Sequence, residues 1–181
     1  MSQNSLHPPL QRAHATDANT LFRRLLSDYQ QALYWHIRHI VGTHEDAEDA
    51  LQETFVRAYR NIESLREASS ERAWLYRIAT NEALRHVENR KTTLDIEDHQ
   101  VAAEAPADDT HTTLHDYDNL QQALAAAMDS LPARQRAVFS MRYFDELSYE
   151  DIARIVDSNV KAVTANFHVA KEKIKQYLLA L

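Results

Sequence analysis

The chain has 181 residues, of which 44% are hydrophobic, and a formal net charge of −7. It contains no cysteine, which excludes a disulfide scaffold, a thiolate metal site and a cysteine nucleophile. Its single glycine, Gly42, excludes the glycine-rich loops that cradle phosphates and dinucleotides. No apolar run reaches the roughly 20 residues that span a bilayer, and residues 1–17 lack an apolar stretch of signal-peptide length. We therefore expect a soluble, helical, cytoplasmic protein with no membrane insertion.

In the first half of the chain, apolar side chains recur at spacings of three and four, the period of a helix with one buried face. The first predicted helix ends near Gly42, because a residue without a Cβ tolerates positive φ there. Thr43 and Asp46 have the spacing of a capping box and predict the start of a second helix. A third predicted helix follows Ser70.

Acidic residues are concentrated in one block of the chain. Residues 57–91 hold 8 basic and 5 acidic side chains and residues 131–181 hold 8 and 6, whereas residues 92–130 hold no basic and 9 acidic ones. Like charges repel each other and resist compaction. Residues 92–113 also contain Pro106 and few large apolar residues, so we predict an acidic flexible linker there.

The last seventy residues predict four more helices. The first covers residues 114–128, and Pro132 in a first-turn position opens the second. Ser148 caps a short third helix, and a turn at residues 157–159 separates it from a longer fourth helix that Asn159 can cap. Two helices joined by a three-residue turn describe a helix-turn-helix, although an ordinary helical hairpin has the same pattern.

These elements predict an all-α fold with two small helical domains joined by an acidic flexible linker. A flexible tail covers residues 1–17 and the first domain covers residues 18–91. The linker covers residues 92–113, and the second domain, residues 114–181, contains the helix-turn-helix.

Three segments resemble parts of bacterial sigma factors. Asp46–Tyr59 (DAEDALQETFVRAY) is similar to the polymerase-binding segment of region two, and Trp74–Asn81 (WLYRIATN) to the promoter-melting and minus-ten-reading segment that follows it. Residues 131–136 (LPARQR), with Ser148–Ala153 (SYEDIA), resemble the start of region four and its helix-turn-helix. The order, the spacing and the lack of other domains are similar to the extracytoplasmic function (ECF) subgroup, which keeps only regions two and four.

The resemblance implies a sigma factor that binds core RNA polymerase, recognises the minus-ten and minus-thirty-five promoter elements and promotes DNA melting. The implied partners are the clamp region of the largest polymerase subunit, the flap of the second-largest subunit, promoter DNA and an anti-sigma factor. A sigma factor performs no bond chemistry, so we expect no enzyme activity, catalytic residue, cofactor or metal.

The second helix carries the candidates for binding core polymerase, which the resemblance places on a basic coiled coil of the largest subunit. They are Asp46, Asp49, Gln52, Glu53 and Phe55. Asp49, Gln52 and Glu53 lie within about a turn of each other and can present acceptors along one face, or they form a solvated face that complements the helix dipole. Phe55 is either an apolar anchor or core, and its place on the apolar stripe favours core.

The third helix carries the candidates for minus-ten DNA, namely Arg72, Trp74, Tyr76, Arg77, Asn81 and Arg85. Aromatic and cationic side chains on one helix suit exposed single-stranded bases, and the resemblance implies capture of an extruded base of the non-template strand. Trp74 is equally well explained as a core residue.

The candidates for minus-thirty-five DNA are Lys161, Thr164, Asn166, His168 and Lys171. Relatives often carry glycine where Asp157 stands here and lysine or arginine at positions 164, 166 and 169. Since asparagine can read adenine with two hydrogen bonds in the major groove, we hypothesise that this module reads DNA mainly through Asn166 and Thr164 and binds it weakly alone.

The linker sets a geometric requirement on the partner. Promoter elements two DNA turns apart lie about 70 Å from one another, whereas a free chain the length of residues 92–113 spans roughly 26 Å on average. The polymerase must therefore hold the two domains apart. The resemblance implies that the acidic linker enters the nucleic-acid channels of the polymerase.

Two rival hypotheses stay open. A helix-turn-helix regulator that never touches core polymerase explains the C-terminal domain but leaves Asp46–Tyr59 without a purpose. A helical metalloenzyme is suggested by ten histidines, with His36 and His39 three positions apart, but no second motif completes a site.

Overall fold

The computed structural model describes residues 10–67, 70–96 and 114–180. Within these ranges the chain forms seven α-helices and one short 3₁₀ helix, Ile62–Glu67, and no strand. The α-helices are α1 (Leu10–Val41), α2 (His44–Arg60), α3 (Glu71–Ile96), α4 (Leu114–Asp129), α5 (Ala133–Tyr143), α6 (Tyr149–Ile155) and α7 (Val160–Leu179). The all-α prediction is confirmed.

Three of the predicted helix starts have the capping hydrogen bonds that the sequence indicates. The Thr43 hydroxyl accepts from the Asp46 amide at 3.2 Å, and the Ser148 hydroxyl accepts from the Asp151 amide at 3.0 Å. The Asn159 side chain accepts from the amide of the residue three positions later at 2.8 Å. Each bond satisfies an amide that has no partner within its own helix.

Three turn residues have a left-handed backbone, namely Gly42, Asp157 and Glu146, whose φ is 54°. Gly42 has φ of 90° between α1 and α2, and a Cβ there would stand 3.4 Å from the carboxylate of Asp129. Asp157 has φ of 52° in the turn between α6 and α7. Aspartate is one of the few residues besides glycine that adopts this conformation readily, which explains how the predicted helix-turn-helix forms without the glycine that relatives often carry.

Two predicted boundaries are wrong. Helix α1 begins at Leu10, so residues 10–17 are helical rather than part of a flexible tail. Helix α3 continues to Ile96, so residues 92–96 are helical rather than part of the linker. Neither stretch contains glycine or proline, and extending an existing helix by one residue costs far less than starting one. Residues 1–9 and 97–113, the remainder of the predicted tail and linker, lie outside the described residues.

The helices form two modules that pack against each other. The N-terminal module is α1–α3 and the C-terminal module is α4–α7. Ile37 and Ile40 of α1 share one buried cluster with Met141 of α5 and Ile152 of α6. Contacts between the modules run from α1 to α5 and from α3 to α5 and α6. The sequence analysis treated the modules as separate, and their direct packing is a result of the tertiary structure.

Among the described helices, none is long and apolar enough to cross a membrane.

Candidate functional site

An open apolar groove of about 1180 Å³ lies between α1 and α2. Its walls carry two large aromatic side chains that remain exposed, Trp35 at 52% and Tyr59 at 48%. The floor includes Phe55, which is 8% exposed and meets the ring of Phe22 edge to face at 6.2 Å between centroids. Exposed apolar surface of this kind usually marks a site of protein association.

The predicted polar residues of α2 differ in their position relative to this groove. Gln52 lines it, and Asp49 and Glu53 are exposed on the same helix. Asp46 is different, because its carboxylate accepts from the Thr43 hydroxyl at 2.8 Å and from Arg90 at 2.9 Å. Gln52 is therefore the predicted polar residue that lines the groove. Glu53 lies 4.0 Å from the guanidinium of Arg85 on α3, and Asp46 is used in a cap and an ion pair.

Phe55, predicted as either a core residue or an apolar anchor, is mostly buried and also lines the groove. Its ring is buried against α1, as the apolar stripe indicates, and its exposed edge forms part of the groove floor. Sequence reasoning missed Trp35, which lies on α1 and precedes the segment Asp46–Tyr59 from which the polymerase-binding candidates were taken. The only signal in the sequence was an aromatic residue off the buried stripe of an amphipathic helix.

The predicted minus-ten residues of α3 fall into two groups. Arg77 and Asn81 are exposed and line a cleft of about 400 Å³ between the modules. Trp74 is half-buried, and its indole N–H donates to the Ser64 hydroxyl at 3.1 Å. Arg85 lies 2.5 Å from a carboxylate oxygen of Glu82. Arg77 and Asn81 are therefore the members with the most open side chains.

Tyr76 and Arg72 bind the loop that follows α5. Tyr76 is 1% exposed, and its hydroxyl donates to a carboxylate oxygen of Asp145 at 3.3 Å. Arg72 donates to the Asp145 carbonyl at 2.5 Å, and its guanidinium lies 5.4 Å from the centre of the Tyr76 ring. Burial, followed by the nearby Asp145 carboxylate, raises the pKa of Tyr76 to about 12. The phenol stays protonated and its ring has no free face in this conformation.

Glu82 is a buried acid that the sequence analysis overlooked. It is 2% exposed, and its two carboxylate oxygens lie 2.5 Å from the guanidinium groups of Arg57 and Arg85. A buried carboxylate is tolerated when cations neutralise it in this way. The pairing joins α2 to α3 and holds the Arg85 side chain in place.

The five predicted minus-thirty-five residues lie on two sides of α7. Successive residues of an α-helix are turned by about 100°, which places Lys161, Thr164, His168 and Lys171 along one stripe. Asn166 lies about 160° around the helix from Thr164 and lines the cleft between the modules. The structure therefore does not bring Asn166 and Thr164 together on one surface.

Neither of the two histidines considered as metal ligands has a metal-binding environment. His36 is completely buried, with Nδ1 2.8 Å from Asp145 and Nε2 2.9 Å from the Thr80 hydroxyl. His39 is stacked on Phe144, with ring centroids 4.1 Å apart. Within the part of the chain that the structure describes, no three histidine, aspartate or glutamate side chains are grouped so as to hold a metal.

Two family matches cover the regions that the geometry singles out. Residues 25–93 match Sigma-70 region 2, and residues 121–174 match Sigma-70, region 4. The chain is 32% identical to the ECF RNA polymerase sigma-E factor of Haemophilus influenzae, over 88% of each chain. The chain belongs to the ECF sigma factor family. It is also 30% identical to the ECF RNA polymerase sigma factor SigW of Bacillus subtilis, over 87% of this chain and 88% of the relative.

Solved structures have the same fold as this sigma factor. The sigma factor RpoE of Bartonella quintana, in complex with the anti-sigma factor NepR, superposes with a TM-score of 0.69 at 24% identity, over 87% of this chain and 96% of that one. CnrH, in complex with the cytosolic domain of CnrY, gives 0.66 at 22% identity, over 93% and 97% of the two chains. At these sequence identities, both similarities show a shared arrangement of helices and do not by themselves show a shared function.

Membership of the family establishes the function in outline. The chain is a sigma factor that binds core RNA polymerase and recognises promoters for transcription initiation. Sigma factors are not an enzyme family. The alternative of a helix-turn-helix regulator acting without polymerase is not favoured, because the region 2 match covers the segment for which that alternative has no purpose.

His39, at the interface between the modules, is expected to make the stability of this sigma factor depend on pH. Burial lowers the pKa of His39, the charges of His36 and Arg38 lower it further, and the Asp145 carboxylate partly opposes them. The folded state therefore binds this proton less readily than the unfolded state does. The stability contributed by neutral His39 is complete above the ordinary histidine pKa of about 6.5 and is lost as the pH falls below it.

We expect the free energy of unfolding of a His39→Phe variant to fall less between about pH 7 and pH 5 than that of the wild type. Phenylalanine can still stack on Phe144 but binds no proton in this range. Urea unfolding at a series of pH values measures the two slopes. Equal slopes for the two proteins would show that His39 does not contribute.

Proposed function

We propose that the groove between α1 and α2 is the surface through which this sigma factor binds core RNA polymerase, at the clamp region of the largest subunit. The support is the combination of an apolar groove lined by Gln52 with exposed Asp49 and Glu53 on the same helix, α2. In the family this segment docks on a basic coiled coil, and acidic side chains around an apolar centre complement such a partner. Trp35 is half exposed on the opposite wall. Tryptophan is one of the residue types that contribute most to the binding energy of protein interfaces.

We infer that α3 captures single-stranded promoter DNA at the minus-ten element. Arg77 and Asn81 supply a cation and an amide on an exposed helix face, which suits the phosphates and base edges of a separated strand. Trp74 and Tyr76 are the aromatic candidates for stacking on an extruded base, a contact worth about 1–3 kcal/mol. That gain offsets the few kcal/mol that unstacking a base costs. Arg72 and Arg85 add positive charge beside this path.

We infer that α7 contacts the minus-thirty-five element through the stripe of Lys161, Thr164, His168 and Lys171. These side chains occupy one face of the second helix of a helix-turn-helix, the helix that enters the major groove in this motif. Asn166 remains the candidate for reading adenine. It is exposed and lines the cleft beside α3, on the other side of α7 from this stripe.

The lysines of this stripe predict a defined salt effect. We expect a Lys161→Ala/Lys171→Ala double variant to reduce the slope of log binding constant against log salt by about 1.8, since each phosphate contact contributes about 0.9. Isotherms on promoter duplex at several salt concentrations measure it. Replacement of Lys173 by glutamine, about 160° around α7 from the centre of this stripe, gives a slope for comparison. An unchanged slope in the double variant would exclude phosphate contacts by this stripe.

We also propose that an anti-sigma factor regulates this chain by covering the polymerase-binding groove. The structural relative RpoE was solved in complex with the anti-sigma factor NepR, and CnrH in complex with the cytosolic domain of CnrY. An apolar groove that accepts polymerase is equally suited to an inhibitor that competes for it. The flap of the second-largest subunit is the proposed polymerase contact of the C-terminal module, and the acidic segment between the modules is proposed to enter the nucleic-acid channels.

The proposed division assigns the minus-ten and polymerase contacts to the first domain and the minus-thirty-five contact to the second. Run-off transcription on genomic fragments with core polymerase, followed by mapping of start sites, tests the whole function. Promoter-specific transcripts that require both the chain and core polymerase are expected. Absence of transcripts, with native mass spectrometry detecting only free protein, would reject it.

A further inference from the structure

The cleft of about 400 Å³ between the modules carries polar side chains that the proposed promoter contacts do not explain. We call it the inter-module cleft. Its walls come from α3, from α5 and from the segment that joins α6 to α7. Arg77, Asn81 and Asn166 are promoter candidates, but Arg134 and Ser158 also line the cleft and have no proposed role. All five residues are exposed, so a small molecule can enter the cleft while the modules remain packed.

Two arginines of the inter-module cleft have no partner in the folded chain. Arg77 belongs to α3 and Arg134 to α5, so the two modules contribute one guanidinium each. Within the described ranges neither forms a hydrogen bond or an ion pair, whereas Arg85 and Arg136 each contact a carboxylate. The planar fork of donors of a guanidinium matches the oxygens of a phosphate. Two unpaired guanidinium groups in one cleft therefore favour a phosphate as ligand.

The remaining polar side chains of the cleft suit the other parts of a nucleotide. The amides of Asn81 and Asn166 have no partner among the described residues. An asparagine amide offers a donor beside an acceptor, the pair that matches N6 and N7 of adenine. Asp157 also lines the cleft, and a carboxylate accepts hydrogen bonds from ribose hydroxyls in dinucleotide sites. The lining thus combines one acid with two arginines and keeps a net positive charge.

The buried part of the lining is apolar. Ala137, Val138 and Ile155 are at most 2% exposed, and Leu84 is half-buried. An apolar surface of this kind suits the flat face of a base. A volume of about 400 Å³ falls in the range of roughly 300–1,000 Å³ found for small-molecule sites. Such sites usually combine an apolar lining with a few convergent polar groups, and the inter-module cleft has this composition.

We propose that the inter-module cleft binds a free nucleoside phosphate with an adenine base. Arg77 and Arg134 bind the phosphate, the amides of Asn81 and Asn166 contact the edge of the base, and the apolar lining covers its face. Because both modules contribute to the lining, the bound nucleotide joins them and stabilises the folded chain. The proposed polymerase and promoter contacts do not require this ligand, so the inference goes beyond the proposed function.

The test is isothermal titration calorimetry of the full chain with adenosine monophosphate (AMP). Inorganic phosphate and adenosine are titrated separately, because each supplies one half of the probe. DNA and polymerase are absent, so the outcome is independent of the proposed promoter and polymerase contacts. We expect AMP to bind about tenfold or more tightly than either half, since each half leaves one set of cleft side chains without a partner.

Arg134→Gln shows whether AMP occupies the inter-module cleft. Arg134 has no proposed contact with DNA or polymerase, and because its side chain is exposed and unpaired within the described ranges, its loss should leave the fold intact. We expect Arg134→Gln to weaken AMP binding about tenfold, because hydrogen bonds to a charged group are among the strong ones. The matched control is Arg23→Gln, which removes an exposed arginine of α1 outside the cleft and should bind AMP as the wild type does.

Four outcomes would overturn the proposal. The first is no heat of binding from the wild type at AMP concentrations up to about 5 mM, which excludes even millimolar affinity. The second is phosphate or adenosine that binds as tightly as AMP. The third is equal affinity for AMP in Arg134→Gln and Arg23→Gln, which would place the nucleotide elsewhere. If circular dichroism shows that Arg134→Gln has lost helicity, Arg134→Lys replaces it, and the fourth outcome is unchanged AMP binding by this variant, which keeps the charge without the fork.

Urea unfolding gives a second measurement of the same site. A ligand that binds only the folded state raises the free energy of unfolding by mass action. We expect AMP at about ten times its wild-type dissociation constant to raise the urea midpoint of the wild type and of Arg23→Gln, and to raise that of Arg134→Gln much less. Equal increases in all three proteins would contradict binding in the inter-module cleft.

Discussion

An Asp49→Lys/Glu53→Lys double variant should bind core RNA polymerase at least 100-fold more weakly than the wild type. Both carboxylates are exposed on α2, the helix that forms one wall of the apolar groove. Placing lysines against a basic partner replaces attraction by like-charge repulsion, which costs several kcal/mol at an interface. A 100-fold loss corresponds to about 2.7 kcal/mol. Titration of labelled protein with core polymerase at about 0.15 M salt measures the dissociation constant.

The matched control for this prediction is Asp28→Lys/Glu63→Lys. These residues are exposed acids of the same module outside the groove, and the double variant changes the net charge equally. We expect its affinity to stay within about threefold of the wild type, because Asp28 makes only an exposed ion pair with Arg24. Equal losses in the two double variants would show that overall charge, rather than this face of α2, determines binding.

An Arg77→Ala/Asn81→Ala double variant should form promoter open complexes about 10- to 100-fold less efficiently while binding core polymerase normally. Both side chains are exposed on α3, and each proposed contact to separated DNA is worth on the order of 1 kcal/mol or more. The loss appears in the melting step because these contacts form only with single-stranded bases. Permanganate reactivity of unpaired thymines in the polymerase–promoter complex measures open-complex formation.

Two further variants show which interaction is lost. Arg23→Ala removes an exposed arginine from α1, outside the groove lining, and we expect it to melt promoters as the wild type does. Arg77→Lys keeps the charge but not the planar fork of donors, so full activity in this variant indicates a phosphate contact. Normal melting by the Arg77→Ala/Asn81→Ala variant would exclude this face of α3 from promoter opening.

The local features of the fold were predictable because they depend on residues close in sequence. Caps at Thr43, Ser148 and Asn159 each join residues three positions apart, and a capping motif is visible in the sequence for that reason. The ends of α1 and α3 were misjudged because helix extension depends on adjacent turns rather than on a recognisable signal. The residue roles proposed for polymerase and DNA remain predictions.

The candidate site was predictable in part. The exposed acids of α2 and the exposed Arg77 and Asn81 of α3 lie on open surfaces, as their segments indicated. The burial of Tyr76 was not predictable, because the covering loop lies 69 positions away in the chain. Trp35 was missed for a related reason. An exposed aromatic residue indicates a binding site only when a second helix, here α2, forms a groove beside it.

The sequence by itself determined the helices, their caps, the helix-turn-helix and membership of the ECF sigma factor family, since periodicity, capping and motif order are properties of neighbouring residues. The tertiary structure alone decided that the modules pack face to face, that Asn166 faces away from the lysine stripe, and that Asp145 binds His36 from 109 positions away. Contacts between residues so far apart in the sequence depend on which helix surfaces are buried against each other. The hydrophobic effect selects these packing partners only after both helices have formed.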